Sequence, residues 1–245
     1  MTPSCPATAA ERAASTGAAI RVVFADAHLI IVDKPAGTPS VPARTPLDPP
    51  CVAAVLAAAF GPLEAVHRLD RDTSGLLVLA RTAAARTALG RAFEARRVEK
   101  RYEARVAGVL PAAAGVVHLP LAPDPSRPPR SRVDPIGGRP AATRWRRLED
   151  VADPQGRTTL VEVEPLTGRS HQIRVHLAWL GAPIVGDPLY GRAIRGGPAP
   201  GRLELHATAL WLPHPADGRP IEAHAPRPFC VAATVGSTPA AGDGT

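Results

Sequence analysis

Lysine is nearly missing from this 245-residue chain. Lys34 and Lys100 are the only two, so 27 of its 29 basic residues are arginine. Cysteine is scarce as well. Cys5, Cys51 and Cys230 are odd in number, far apart and not in CxxC spacing, which argues against a disulfide framework or a structural zinc site. They read as ordinary reduced thiols. No apolar run approaches the roughly 20 residues a bilayer-crossing helix needs, and the N-terminus lacks the basic-then-apolar layout of a secretory signal. A soluble cytoplasmic protein is expected. Neither GxGxxG nor GxxxxGK(S/T) occurs, so nucleotide cofactors lose their usual warrant. No internal repeat suggests a solenoid or propeller.

What is present is enough for one sizeable core: 45% of the residues are hydrophobic, and the length suits a single domain. The net charge of +7 and pI near 10.3 suit a polyanionic partner, because arginines that neutralise phosphates release counterions. The signal is diluted by composition. Arginine in place of lysine, with abundant Ala, Pro and Gly, is also what GC-rich coding gives any protein.

Residues 1–19 and 236–245 are small, polar and aperiodic, and are expected to be disordered tails around a folded region of residues 20–235. Ile20–Phe24 and Leu29–Val32 read as a hairpin turning near Asp26. Cys51–Phe60 reads as an Ala-rich helix stopping at Gly61-Pro62, and Leu76–Ala80 as a short buried strand. Thr82 is placed to cap a helix over Ala83–Arg96, and Lys100–Ala107 alternates as a half-buried strand through Tyr102, Ala104 and Val106. Further strands are expected at Val116–Leu119, Ala141–Leu148, Thr159–Val163, Leu203–Leu212 and Ile221–Ala225, the last two closing the sheet. Ala122–Pro140, with Arg127, Arg130, Arg132 and Arg139, reads as a long exposed loop. A helix over Ser170–Leu180 is expected to turn Ile173, Leu177 and Leu180 inward. The pattern predicts an α+β single domain with a mixed, largely antiparallel central sheet flanked by helices and loops.

Two segments concentrate chemistry. His67-Arg68-Leu69-Asp70-Arg71-Asp72-Thr73-Ser74-Gly75 packs carboxylates, guanidiniums, an imidazole and hydroxyls between a helix end and a buried strand. Composition alone favours local ion pairs there over catalysis. Thr167-Gly168-Arg169-Ser170-His171-Gln172-Ile173-Arg174-Val175-His176 sets polar groups at a helix start, where anions are favoured, although a solvated face is the commoner fate. His171 and His176 are poorly spaced for chelating a metal from one helix.

The stretch His67 to Ala80 resembles the signature of RluA-type pseudouridine synthases. Lys34-Pro35-Ala36-Gly37, Lys100-Arg101-Tyr102, Gly168 to Arg174 and Gly186-Asp187-Pro188-Leu189-Tyr190-Gly191 resemble other blocks of that family, in the family's order. The resemblance implies the pseudouridine synthase catalytic fold and isomerisation of uridine within RNA. Asp70 then matches the family's catalytic aspartate, Arg174 its guanidinium partner and Tyr102 its active-site tyrosine. A free aspartate titrates near 3.9, and an adjacent guanidinium would lower that further. The carboxylate can attack the ribose anomeric carbon or the uracil ring, or abstract a proton; the sequence does not choose. Arg68, Arg71, Thr73, Arg169, His171 and Leu205 are candidates for RNA or substrate contact, Arg68 in the stack vacated by a flipped base or against flanking phosphates. Asp72 reads as scaffold, holding Thr73, Ser74 or Arg71. No metal or organic cofactor is implied. The expected partner is RNA, ribosomal large-subunit, transfer or both, with no membrane association and no obligate protein partner, as a monomer built of the catalytic domain alone. Two rivals remain at this level: a non-catalytic RNA-binding or ribosome-assembly module, and a glycoside hydrolase using Asp70 with Asp72.

Overall fold

The computed structural model describes residues 20–42, 49–153, 156–191 and 201–229. The tails expected to be disordered, with Cys5 and Cys230, lie outside the described residues. Cys51 is a buried free thiol.

β-Branched residues open the fold as the expected hairpin, β1 (Arg21–Ala25) antiparallel to β2 (Leu29–Lys34). Asp26 makes the turn by accepting the backbone N–H groups of His28 and Leu29 at 2.7 and 2.9 Å. α1 (Val52–Phe60) buries Val52 and Leu56 and ends at Gly61. The short β3 (Glu64–Ala65) leads into the His67–Thr73 loop and then β4 (Ser74–Ala80), all seven of whose residues are buried. Such an unbroken apolar strand belongs inside a sheet, and each large side chain it removes from water stabilises the fold by about 1.5–3 kcal/mol. α2 (Ala83–Glu94) starts where expected, the Thr82 hydroxyl accepting the Ala85 N–H at 3.1 Å. It stops short of Arg96, which turns into the left-handed region at φ +56°. β5 (Glu99–Ala107) buries the anticipated Tyr102, Ala104 and Val106.

After these come β6 (Ala114–His118), β7 (Leu121–Pro123), β8 (Ser131–Val133), β9 (Ala142–Asp153), β10 (Gly156–Pro165), α3 (Gln172–Trp179), β11 (Leu205–Pro213) and β12 (Pro220–His224). The main sheet runs β1-β2-β4-β11-β5-β10-β9-β6, with β12 beside β11 and β3 beside β4. Every pairing in it is antiparallel except β4 with β11. This is the mixed, largely antiparallel α+β domain that the strand pattern predicts.

Three local expectations are corrected. Residues 122–140 are not an open loop. β7 and β8 pair there, Asp124 is buried with bonds from Ser126 and Arg127, and Asp134 accepts the N–H groups of Ile136 and Gly137. Short aspartate side chains supply the acceptors that a proline-rich segment cannot find in its own ladder. Next, β11 does not close the sheet but sits in its middle, joining β4 to β5. Gly75 permits this approach: at φ +109°, a Cβ there would lie 2.4 Å from the Ala207 backbone. Finally, α3 is buried on more than its apolar stripe, for Gln172, Arg174 and His176 are as buried as Ile173 and Leu177.

Candidate active site

A cleft of about 550 Å³ opens between the His67–Thr73 loop, β5 and the start of α3, with Leu205 of β11 in its wall. Its size is ordinary for a small-molecule or nucleotide site. The loop on one side is held mainly through its backbone. Ser40 Oγ donates to the Leu69 carbonyl at 2.8 Å and accepts the Leu69 N–H at 3.0 Å. Lys34, fully buried, donates from Nζ to the carbonyls of Pro35, Thr38 and Arg71 at 2.8–3.0 Å. The Gly37 N–H also reaches the Arg71 carbonyl, at 2.9 Å, and Thr73 N–H closes the turn on the Asp70 carbonyl at 3.2 Å. Burial lowers the Lys34 pKa to about 8 against the opposing charges of Asp72 and Asp70.

His67 takes a structural post. It stacks on Phe93 with ring centroids 4.7 Å apart, and its Nε2 accepts the Val78 N–H at 3.0 Å. Burial, with the charge of Lys100, drives its pKa to about 3, so it is neutral under working conditions.

The other side is built on side-chain charge. Arg174 is 2% exposed. Its Nε and Nη2 donate to the two oxygens of Asp187 at 2.8 and 2.7 Å, and its Nη1 reaches Asp70 Oδ2 at 3.1 Å. Burial alone would lower the Arg174 pKa, but the bonds and charge of Asp187, then the charge of Asp70, outweigh it and the net shift is upward. The paired fork is the geometry in which guanidinium and carboxylate bind most strongly. Asp187 also accepts the N–H groups of Leu189 and Tyr190, so burial raises its pKa less than Arg174 and these bonds lower it. Gly186 makes room: at φ +75°, a Cβ would strike the Arg202 carbonyl.

Gln172 locks the start of α3. Its Oε1 accepts from Thr167 Oγ1 and the Arg169 N–H, while its Nε2 donates to the Ala142 carbonyl and Thr143 Oγ1. Every hydrogen-bonding position of the amide is thereby used, which explains its burial. His176 is likewise consumed by Thr143 and Leu119.

The carboxylate, the guanidinium and the phenol expected together do meet. Asp70, Arg174 and Tyr102 all line the cleft, with Arg68, Thr73, Arg169, His171 and Leu205. Tyr102 is buried, and burial with the Asp70 charge pushes its pKa up. Arg68 is exposed at the mouth. Arg71 is the exception: it does not line the cleft, and its Nε turns back to the Gly37 carbonyl. Asp72 is also outside, where its charge bears on Lys34 rather than on Thr73 or Ser74. Ser74 instead meets His206 Nδ1 at 2.7 Å and Arg202. A carboxylate pair facing across a sugar is thus not what the loop presents.

A family model described as RNA pseudouridylate synthase matches residues 28–179, more than half of the chain and spanning Asp70, Tyr102 and Arg174. The chain belongs to this family.

Among pseudouridylate synthases, the "Dual-specificity RNA pseudouridine synthase RluA" of Escherichia coli is 41% identical over 208 residues, covering 85% of this chain and 93% of the relative. Its namesake from Yersinia pestis is 40% identical over 200 residues, 82% and 95% of the two chains. In three dimensions the protein is similar to "Human RNA Pseudouridylate Synthase Domain Containing 1", with TM-score 0.74 and 27% identity over 93% of this chain and 88% of that one. "Human RNA Pseudouridylate Synthase Domain Containing 4" gives TM-score 0.67 and 26% identity, over 84% and 88%. This chain is therefore an RNA pseudouridine synthase, an isomerase that modifies RNA.

Residue-by-residue reading of the sequence left out Asp187, Tyr190 and Lys34 as members of the site. The first two were visible in Gly186-Asp187-Pro188-Leu189-Tyr190-Gly191, whose acid and phenol in a turn had no partner assigned. Lys34 stands in Lys34-Pro35-Ala36-Gly37, a block of the resemblance to which no site role is given. Among the described residues, no group of three or more His, Cys, Asp or Glu side chains is gathered to hold a metal ion.

Proposed function

We propose that the synthase isomerises specific uridines in structured RNA, of the ribosomal large subunit, transfer RNA or both, with Asp70 as the catalytic carboxylate. The observation that carries this reading is the Asp70–Arg174–Asp187 chain at the wall of a cleft that also holds Tyr102 and Leu205. Arg174 faces one oxygen of Asp70, and among the described residues both polar contacts of that carboxyl, from Arg174 Nη1 and His171 Nε2, go to Oδ2. Oδ1 is left for chemistry.

Isomerisation breaks the bond between uracil N1 and the ribose and makes one from carbon to the same ribose centre. The carbon gives up a proton and the nitrogen gains one, so no electrons are exchanged with an outside group. A carboxylate can serve by attack on the anomeric carbon or the ring, or by proton abstraction. Tyr102, held as a neutral phenol, is suited to stacking and hydrogen bonding against the base rather than to acting as a free base. Leu205 forms the opposing wall. Flipping the uridine out of its stack costs a few kcal/mol, and Arg68 at the mouth fits the vacated space, with Arg169 toward flanking phosphates. Residues 20–235 act as one catalytic domain, a cytoplasmic monomer whose own basic surface carries RNA recognition.

Two measurements test this. Asp70→Asn should abolish pseudouridine formation while leaving the unfolding midpoint and RNA affinity close to wild type. Single-nucleotide mapping of pseudouridine in ribosomal and transfer RNA, with and without the gene, should lose at least one site. An unchanged map together with tight RNA binding would point instead to a binding module.

A further inference from the structure

His171 stands at the Asp70 end of the cleft, its Nε2 3.9 Å from Asp70 Oδ2. Its other ring nitrogen, Nδ1, lies 2.8 Å from the Tyr190 hydroxyl. That hydroxyl already accepts the Ser131 N–H of β8 at 2.7 Å. We propose that Tyr190 is a positioning residue that fixes His171 as the neutral Nε2–H tautomer, so that His171 turns an N–H toward Asp70 Oδ2, which Arg174 binds, and Oδ1 is left to react.

The argument is a count of protons. A phenol has one O–H and room to accept. With Ser131 donating to the oxygen, the phenol proton needs an acceptor, and His171 Nδ1 is the other group the hydroxyl touches among the described residues. If Nδ1 carried the proton instead, the phenol proton would have no acceptor there, and Nε2 would turn a lone pair toward a carboxylate. Donation from Tyr190 to Nδ1 satisfies all the groups at once and places an N–H facing Asp70.

A doubly protonated ring is the remaining alternative. The groups that bear on His171 are Asp70 and Arg68 from the loop, Arg174 from α3, and Asp187 and Tyr190 from the turn beyond it. Burial, with the positive charges of Arg174 and Arg68, outweighs the pull of the two carboxylates and keeps its pKa below the ordinary histidine value. The ring is neutral at neutral pH. The Tyr190 ring is itself fixed, with the guanidiniums of Arg174 and Arg130 5.3 and 6.0 Å from its centroid.

The proposal rests on Asp70 being the catalytic carboxylate, but its first readout does not. In the full-length protein, long-range proton–nitrogen spectra of the His171 ring at neutral pH should show Nε2 protonated and Nδ1 bare, and Tyr190→Phe should erode that preference. Tyr190→Phe keeps the aromatic contacts and loses only the hydroxyl, so it should lower kcat roughly tenfold, the worth of one oriented hydrogen bond, with KM for RNA unchanged.

Two substitutions at His171 separate positioning from folding. Its φ is +55°, a conformation asparagine tolerates better than glutamine does. The asparagine amide replaces Nδ1, whereas the glutamine amide reaches the place of Nε2. His171→Asn should therefore be the more stable variant and the less active one, and His171→Gln the reverse. A merely structural role would rank both properties the same way. A ring protonated on Nδ1 or on both nitrogens, an unchanged kcat in Tyr190→Phe, or matching rank orders would each overturn the proposal. If the wild-type enzyme makes no pseudouridine on any RNA tested, the proposed function fails, and the spectra alone decide the tautomer.

Discussion

The two sides of the cleft solve the same task by opposite means. The Asp70 loop is held by its backbone groups: Lys34 on three carbonyls, Ser40 on the N–H and the carbonyl of Leu69, Gly37 on the Arg71 carbonyl. The α3 side is held by side-chain charge, with Arg174 suspended between Asp187 and Asp70. Backbone bonds define shape at little electrostatic risk. A buried ion pair orients its members firmly, yet removal of either partner strands the other in a low-dielectric interior.

The largest effect should come from the charged side. Asp187→Ala leaves the nearly sealed guanidinium without its fork, and should cost about 3–5 kcal/mol in urea unfolding, with activity falling alongside. An equal loss from Ser40→Ala would erase the contrast between the two sides. Because bonding depresses the folded pKa of Asp187, its contribution is complete above about pH 4, the unfolded value, and disappears as pH falls through the lower folded one.

Lys34 supplies the next effect, with the same sign but in the alkaline range. Its folded pKa, about 8, lies below the unfolded value, so between the two the unfolded chain binds more protons and stability rises with pH. The rise is at most about 3 kcal/mol between roughly pH 8 and 10.4. Subtracting the same urea-midpoint curve for Lys34→Met should isolate it, and a flat difference would show that Lys34 titrates normally. The smallest loss belongs to Ser40→Ala. It leaves the buried N–H and carbonyl of Leu69 without their neutral partner, worth about 1–2 kcal/mol by urea unfolding, with wild-type salt dependence.

How much of this was legible in the sequence follows from the same contrast. The loop side is local: an apolar run, a capping threonine and a dense polar segment place Asp70 just before β4, as the pattern predicts. Tyr102 on β5 is legible for the same reason. The charged side depends on residues brought together by topology. Nothing near Arg174 says that Asp187, beyond the end of its helix, is its main partner, so a buried hub reads as a solvated face. Asp72, two positions from Asp70, looks like its natural companion and instead bears on Lys34. The β7–β8 hairpin hides because proline and arginine mask two three-residue strands. No periodicity marks β11 as central, because β4 and β5, the two strands it joins, come from much earlier in the chain.

That central strand also sets when the catalyst comes into existence. During synthesis β4 and β5 leave the ribosome long before β11, which among the described strands is the one that joins them. Without residues 205–213 the described strands of the sheet fall into two groups that share no pairing, with Asp70 leading into one and Tyr102 within the other. Long-range pairing of this kind is slow, since loop closure precedes any gain from contact. Competence thus waits for residues 205–213, and a chain cut before residue 205 keeps both residues and lacks the strand that would bring them together.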